Sequence, residues 1–159
     1  MNSASEEKSI LDNCDFWCDT DGDKVEKGVG RNHKTKFVWR VKNFSARTEQ
    51  NSLILDSDSF TIISQNDTVT RWKLRLYPYG DSDAKPGYSS FYLKSMETEA
   101  RASFEVSITD EHGNKIIKLV SRTGDGIHFK PNQGFGKPEA LSVDQLFENG
   151  IIDDVLILV

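Results

Sequence analysis

Three histidines and two cysteines are the residues of this chain that could support nucleophilic or acid–base catalysis. Cys14, Cys18 and His33 lie in the N-terminal segment, His112 lies in a turn-forming segment, and His128 lies in a segment typical of a strand. A catalytic thiol needs a base within hydrogen-bond reach and a third group that orients this base. No histidine adjoins a candidate nucleophile in the sequence, so we predict no catalytic residue and no enzymatic activity.

The N-terminal segment also carries two patterns that suggest a metal ion. Its two cysteines and His33 supply three zinc ligands, whereas a structural zinc site needs four. The sequence DTDGD at 19–23 begins like a calcium loop, but an EF-hand needs glycine at its sixth position and glutamate at its twelfth. Here Gly22 holds the fourth position and Gly30 the twelfth. We therefore predict no metal site and no cofactor.

The elements that must position any functional residue are predicted from the alternation of apolar and polar residues. From residue 36 onward the dominant period is two, which is typical of strands with one buried and one solvated face. The clearest alternating segments are 37–42, 71–76 and 103–108. The sequence DEHGN at 110–114 predicts a hairpin loop between strands over 101–109 and 115–121.

One segment has a helical pattern instead. Ser142 is a favourable N-cap before the sequence VDQLF, and Gly150 follows the end of this segment. We therefore predict one short helix near 142–147. Seven or so short strands with one helical turn predict an all-β protein, an antiparallel β-sandwich. The side chains predicted to be buried between its sheets are those of Trp39, Trp72, Leu74 and Val106.

The composition changes once along the chain, near residue 35. Residues 1–34 contain eight acidic and five basic residues with few apolar ones, which predicts a disordered or loosely held acidic tail before a domain over 35–159. A short apolar cluster in this tail could dock on the domain or on a partner; its residues are Ile10, Leu11, Phe16 and Trp17.

The overall charge and hydropathy exclude two classes of partner. The net charge of −5 at pH 7 argues against a nucleic acid or an anionic membrane, because phosphate groups attract a basic face. No stretch approaches the ~20 apolar residues that a membrane-spanning helix needs. The polar N-terminal sequence MNSASEEKSILDN is unlike a signal peptide. We expect a protein of the nucleus or the cytoplasm.

Seven short motifs follow one another in order across residues 34–159. The first four are FVWRVKNFS at 37–45, SDSF at 57–60, WKLRLYPYG at 72–80 and SFYL at 90–93. The others are ASFEVSI at 102–108 with its hairpin, QGFGK at 133–137 and the final segment at 149–158. One such motif is weakly specific, but seven in register are strongly so. With them the chain resembles the MATH (meprin and TRAF homology) domain family, and within it the MATH–BTB proteins related to speckle-type POZ protein.

This resemblance implies an eight-stranded antiparallel sandwich that binds short linear peptides by β-augmentation, with the extended peptide lying beside an edge strand. The positions that match the family's peptide contacts are Tyr92, Phe104, Asn132, Gln133, Gly134, Phe135 and Lys137. Tyr92 should project opposite to its neighbours on the strand, whereas Phe104 shares a face with Val106 and fits the core at least as well. We predict that Tyr92 and Phe135 line one shallow groove, with Gln133 at its wall.

Two positions depart from the groove of the family. Gln133 replaces a tryptophan, and Ile127 replaces a tyrosine. An amide in place of an indole removes an apolar contact worth roughly 1–3 kcal/mol. We therefore expect peptide binding to be retained, but with a preference other than the Ser/Thr-rich motif of speckle-type POZ protein.

The resemblance also implies a pathway. MATH–BTB proteins pass the captured substrate to a cullin-type ubiquitin ligase through their BTB domain, and these 159 residues contain no BTB sequence. We expect the chain to be the substrate-recognition part of such an adaptor. Two alternatives stay open: the docking domain of a ubiquitin-specific protease, and a MATH-only binding protein without a role in ubiquitination. A trimeric TRAF-type signalling module ranks last, because no heptads precede residue 36.

Overall fold

The alternating segments form antiparallel strands in two sheets. The structure is a computed structural model, which describes the backbone of residues 15–18 and 23–27 and the whole of residues 35–48, 53–63 and 67–159. In chain order the strands are β1 (Asp15–Cys18), β2 (Asp23–Lys27), β3 (Thr35–Lys42), β4 (Leu55–Asp56), β5 (Phe60–Ile63), β6 (Val69–Tyr77), β7 (Tyr88–Ser95), β8 (Ala100–Thr109), β9 (Lys115–Phe129), β10 (Gly134–Ser142), β11 (Ile151–Ile152) and β12 (Val155–Leu158).

The two sheets pack face to face as a sandwich. The larger sheet has the order β1-β2-β3-β12-β8-β9, with β11 paired to β12. The smaller sheet has the order β10-β7-β6-β4, with β5 also paired to β6. The antiparallel β-sandwich predicted from the sequence is confirmed. Its described residues form twelve strands, of which β4 and β11 have only two residues each.

The core lies between the inner faces of the two sheets. Trp39 is 0% exposed and Trp72 is 2% exposed, and both lie on strands whose apolar residues alternate with polar ones. Leu74 and Val106 are buried beside them, so all four core residues predicted from the alternation are confirmed. The hairpin between β8 and β9 is confirmed as well: the Asp110 amide donates to the Asn114 carbonyl over 3.0 Å.

In the part of the chain that the structure describes, two short helices connect the sheets. The predicted one, α2 (Val143–Gln145), continues into a π-helical turn over Leu146–Gly150. The Ser142 hydroxyl accepts a hydrogen bond from the Gln145 amide over 3.1 Å, as an N-cap should. The other helix, α1 (Phe44–Arg47), was not predicted; it starts after Asn43, which has a left-handed φ of 54°. No helix of the described residues is long and apolar enough to cross a membrane.

The N-terminal segment contributes two strands to the larger sheet. The backbone of β2 pairs antiparallel with β3, and β1 pairs antiparallel with β2. The composition of residues 1–34 did not predict these strands. Residues 1–14, 19–22 and 28–34 lie outside the described residues, and so do the zinc pattern that includes Cys14 and His33 and the calcium-like loop that starts at Asp19. The boundary between tail and domain near residue 35 stays a prediction.

Candidate functional site

Two edge strands, one from each sheet, lie next to each other on one side of the sandwich. β9 ends the order of the larger sheet, and β10 ends that of the smaller sheet. Arg122 on β9 donates from Nη2 to the Gly136 carbonyl on β10 over 3.4 Å. We call the region between β9 and β10 the edge cleft. Because β10 pairs with β7 on one side only, about half of its backbone donors and acceptors face away from any described strand.

Aromatic rings form the inner wall of the edge cleft. Phe129 is fully buried, and its ring centroid lies 4.9 Å from that of Phe135 in an edge-to-face arrangement. The Phe104 ring lies 6.1 Å from Phe129 on the β8 side. Phe104 and Phe135 are only partly buried, so they present apolar surface next to the open edge of β10. The structure thus brings these two predicted site residues together around Phe129.

A tight turn places the first residue of β10. Asn132 has a left-handed φ of 62°, and its amide donates to the Met96 carbonyl over 2.6 Å. The side-chain oxygen of Gln133 accepts a hydrogen bond from the Lys130 amide over 2.9 Å. This amide oxygen is therefore used inside the turn, and it satisfies a backbone donor that a tryptophan at this position could not satisfy.

Two glycines start β10 and keep its outer face flat. Gly134 is the register partner of Lys94 on β7, and Gly136 is the partner of Tyr92. A Cβ at Gly136 would lie 1.8 Å from the Phe91 carbonyl oxygen, so this position accepts no side chain. A Cβ at Gly134 would meet its nearest atom at 3.5 Å, which is an ordinary contact.

The register places Tyr92 and Phe135 on opposite faces of the smaller sheet. Phe135 pairs with Leu93, which is buried in the core, and successive strand residues point to opposite faces. Tyr92 therefore lies on the outer face, where it pairs with Gly136. The expectation of one groove lined by both side chains is replaced by two surfaces, one on each face of β10 at its edge.

The outer-face environment of Tyr92 is polar. Its hydroxyl donates a short hydrogen bond to Asp81, and its ring lies 6.0 Å from that of Tyr77, edge to face. Burial, and after it the hydrogen bond to the Asp81 carboxylate, raises the pKa of Tyr92 well above its usual value. Tyr92 thus remains a neutral hydrogen-bond donor at physiological pH, held in place by Asp81.

A charged network covers the centre of the same outer face. Arg75 donates to both carboxylate oxygens of Asp56, over 2.7 and 2.8 Å, and Lys73 lies 3.1 Å from one of them. Burial would raise the pKa of Asp56, but the hydrogen bonds from Arg75 and Lys73 outweigh burial and hold this pKa below its usual value. Asp56 is therefore ionised at neutral pH and is fully engaged by its two basic neighbours.

The other site residues predicted from the sequence lie at the ends of the cleft. Asn132 and Lys137 are exposed, and Lys137 is the register partner of Phe91 just before a register shift in the pairing of β10 with β7. Sequence reasoning missed Phe129 and Arg122, which face the cleft from β9. The motif at 102–108 indicated the preceding strand, β8. The pairing of β9 with β8 has three register shifts, so the side chains of β9 that face the cleft do not follow a simple alternation.

The described residues form no cluster of metal ligands. His128 Nε2 lies 2.6 Å from a carboxylate oxygen of Glu99, and both side chains are largely exposed. Within residues 35–48, 53–63 and 67–159, no group of three His, Cys, Asp or Glu side chains could hold a metal ion. What this side of the molecule offers is an open strand edge with an apolar wall and a polar wall.

Comparison with known proteins identifies a family and a similar fold. A family model described as "MATH domain" matches residues 36–159. The fold is similar to that of Notothenia coriiceps TRAF5, with a TM-score of 0.54 and 15% sequence identity over 76% of this chain and 69% of that chain. At this level of identity the second match supports the β-sandwich fold alone.

Proposed function

Because the chain belongs to the MATH domain family, whose members are protein-interaction modules, we propose that it binds short linear peptides of partner proteins at the edge cleft. The peptide adds to β10 as a further strand, so that main-chain hydrogen bonds hold it in register. The role is one of binding without catalysis. Similarity to the MATH–BTB proteins in particular stays part of this proposal.

The observation that carries the proposal is the open edge of β10. β10 has nine residues, and β7 is its strand partner on one side. An exposed row of backbone donors and acceptors is a template for another strand, which proteins usually cover or interrupt with charge. Gly134, Phe135 and Gly136 at the start of β10 carry no charge. The segment 137–139 contains a proline and two charges, and the pairing with β7 shifts register there, so the free template is the start of the strand.

The two faces of the added strand would contact two different surfaces of the cleft. Side chains that point inward would contact Phe104 and Phe135, which lean on the buried Phe129. Side chains that point outward would pass over Gly134 and Gly136 toward β7. This arrangement supports a peptide in which apolar residues alternate with polar ones. It also supports the expectation of a motif other than the family's Ser/Thr-rich one, because Gln133 is used within its own turn.

We further propose that the bound partner is a substrate of a cullin-type ubiquitin ligase, delivered through a BTB domain, in the nucleus or the cytoplasm. The alternatives are the docking domain of a ubiquitin-specific protease and a binding protein without a role in ubiquitination. A BTB sequence downstream in the gene would support the adaptor, and a Cys/His protease domain would support the alternative enzyme.

Removing an aromatic ring from the cleft tests the proposed site. A degenerate nonapeptide library is selected on the purified protein, and the enriched peptides are titrated by fluorescence anisotropy. We expect Phe135→Ala and Tyr92→Ala each to weaken binding about thirtyfold or more, because a central aromatic contact typically contributes 2 kcal/mol or more.

A matched variant controls for general effects on the fold. Phe60 is likewise a partly buried aromatic residue, but it lies on β5 at the opposite side of the same sheet. Phe60→Ala should keep the affinity within twofold, and the melting temperature of every variant is recorded. Equal losses for Phe60→Ala and Phe135→Ala, or a library without any enriched peptide, would contradict the proposal.

A further inference from the structure

Two lysines face each other across the outer face of the smaller sheet. Lys73 on β6 and Lys94 on β7 are direct register partners. Like charges in directly opposed positions of an antiparallel pair destabilise the sheet. The fold therefore keeps an unfavourable pair of like charges, Lys73 and Lys94, next to the first residue of β10.

Three cations lie around one carboxylate at this place, and the carboxylate binds two of them. Asp56 binds Arg75 with both oxygens and Lys73 with one of them. Lys73, Arg75 and Lys94 against Asp56 leave an excess of two positive charges. Within the described part of the chain, no hydrogen bond or ion pair engages the ammonium group of Lys94.

The environment of Lys94 disfavours its own charge. Burial lowers the pKa of Lys94 below its usual value, and the nearby charges of Arg75 and Lys73 lower it further. The carboxylate of Asp56 acts in the opposite sense. An anion bound next to Lys94 would favour its charged form in the same way, because an opposite charge close to an ammonium group stabilises it.

Gly134 lies between these lysines and the edge cleft. It is the register partner of Lys94 on β10 and has no side chain above the outer face. A strand added beyond β10 would lie two strand spacings from β7, or about 10 Å. A lysine on its four-carbon stem and an extended anionic side chain can meet across this gap, because no side chain of β10 stands between them.

We propose that Lys94 binds a phosphorylated serine or threonine of the peptide, at the peptide residue that lies beside Gly134, while Lys73, one strand further away, adds its positive charge to the same face. This inference rests on the proposed function, because it assigns one subsite of the same peptide. A phosphate group carries a charge of about −1.5 to −2 at neutral pH, which matches the excess charge of the lysine site. Lysine binds phosphate as a point charge, and the planar group of Arg75 is already used by Asp56.

The neighbouring position on the same face selects against an anion. Two residues along β10, Gly136 pairs with Tyr92, whose hydroxyl donates to the carboxylate of Asp81. A second negative charge on the outer face beside Gly136 would be repelled by Asp81, while Arg122 binds the Gly136 carbonyl from the side of the cleft. On the outer face the site therefore favours a phosphorylated residue beside Gly134 over one beside Gly136.

The test uses peptide libraries with a fixed central residue. Three nonapeptide libraries with phosphoserine, glutamate or serine at the centre are selected on the purified full chain. The most enriched sequence is synthesised in all three forms and titrated by fluorescence anisotropy at fixed salt. We expect phosphoserine to bind about tenfold tighter than serine, with glutamate between them, since charge-assisted contacts to phosphate are stronger than neutral ones.

Variants separate this inference from the proposed function. Lys94→Met should remove most of the preference for phosphoserine and leave the affinity for the serine form within twofold. Lys42→Met removes the same charge from an exposed residue of β3 in the other sheet and should change neither affinity. Equal binding of the serine and phosphoserine forms, or a preference that survives Lys94→Met, would overturn the inference while the peptide-binding function stands. Libraries without any enriched peptide would overturn both.

Discussion

Trp72→Ala is expected to lower the free energy of unfolding by about 3–5 kcal/mol, which is at the upper end of the range for large-to-small substitutions in a core. The Trp72 side chain is 2% exposed, and its ring lies 4.9 Å from that of Phe129, edge to face. Its indole Nε1 also donates to the Thr70 hydroxyl over 2.9 Å. Truncation removes this contact area and leaves a cavity under the aromatic wall of the edge cleft.

Urea denaturation followed by far-ultraviolet circular dichroism measures this loss. A single domain is stable by only about 5–15 kcal/mol, so the variant should be largely unfolded at moderate urea concentrations at which the parent is folded. Val69→Ala, at a residue of the same strand that is 50% exposed, should change the stability by less than about 0.5 kcal/mol. A Trp72→Ala protein that unfolds like the parent would mean that the inward and outward faces of β6 are interchanged.

The second large loss of stability is expected for Gly136→Ala on β10. The same substitution at Gly134, two residues earlier on the same strand, should affect peptide binding and not stability. In Gly136→Ala the new methyl group would lie 1.8 Å from the Phe91 carbonyl oxygen, which belongs to the backbone and cannot turn aside. We expect a loss of about 3 kcal/mol or more in the free energy of unfolding, at the upper end of what overpacking costs. β10 would have to separate from β7 at this point.

Gly134→Ala should leave the fold intact and act on binding. The nearest atom to its new methyl group would be 3.5 Å away, and this residue does not need a left-handed backbone. The methyl group would occupy the flat outer surface over which the peptide side chain has to pass. We expect the melting temperature of Gly134→Ala to equal that of the parent and its peptide binding to be weaker. If Gly134→Ala and Gly136→Ala destabilise the protein equally, the register of β10 with β7 is contradicted.

Much of the fold could be predicted because one face of each long strand is buried. The alternation around Trp72 and Leu74 identified the inward face of β6, and the turn residues at 110–114 located the hairpin after β8. In both cases the signal is local, since period and turn chemistry depend on residues close together in the chain. The N-cap at Ser142 is a local signal of the same kind.

The elements that were missed depend on contacts between distant residues. Helix α1 starts beside Asp154, whose carboxylate accepts hydrogen bonds from the amide and the hydroxyl of Ser45 over 2.8 and 2.9 Å. These residues are 109 positions apart, so no window of the sequence could contain both. β1 and β2 are held by backbone pairing in a segment whose composition gave no apolar period.

The sequence predicted which residues surround the candidate site, but not on which face of the sheet each side chain lies. Motif resemblance identified the residues on both sides of β10, and Phe104 and Phe135 do meet around Phe129. The separation of Tyr92 from Phe135 follows from the register between β7 and β10, which lie about forty residues apart in the chain. The opposed lysines likewise became visible only with the register of β6 and β7.

Hydrogen exchange along β10 tests the central claim most directly. The protein is labelled with ¹⁵N, and the exchange rates of its backbone amides are measured by NMR with and without the tightest library peptide. An added strand must accept hydrogen bonds from the amides of β10 that face the edge cleft, and such amides alternate along a strand. The account predicts slower exchange at the amides of Gly134 and Gly136, which face away from β7, with the amide of Phe135 unchanged because β7 already protects it. The alternation ends there, because Pro138 has no amide and the pairing with β7 shifts register after Lys137. Protection confined to any other strand, or none on β10 at saturating peptide, would contradict binding by β-augmentation at this edge.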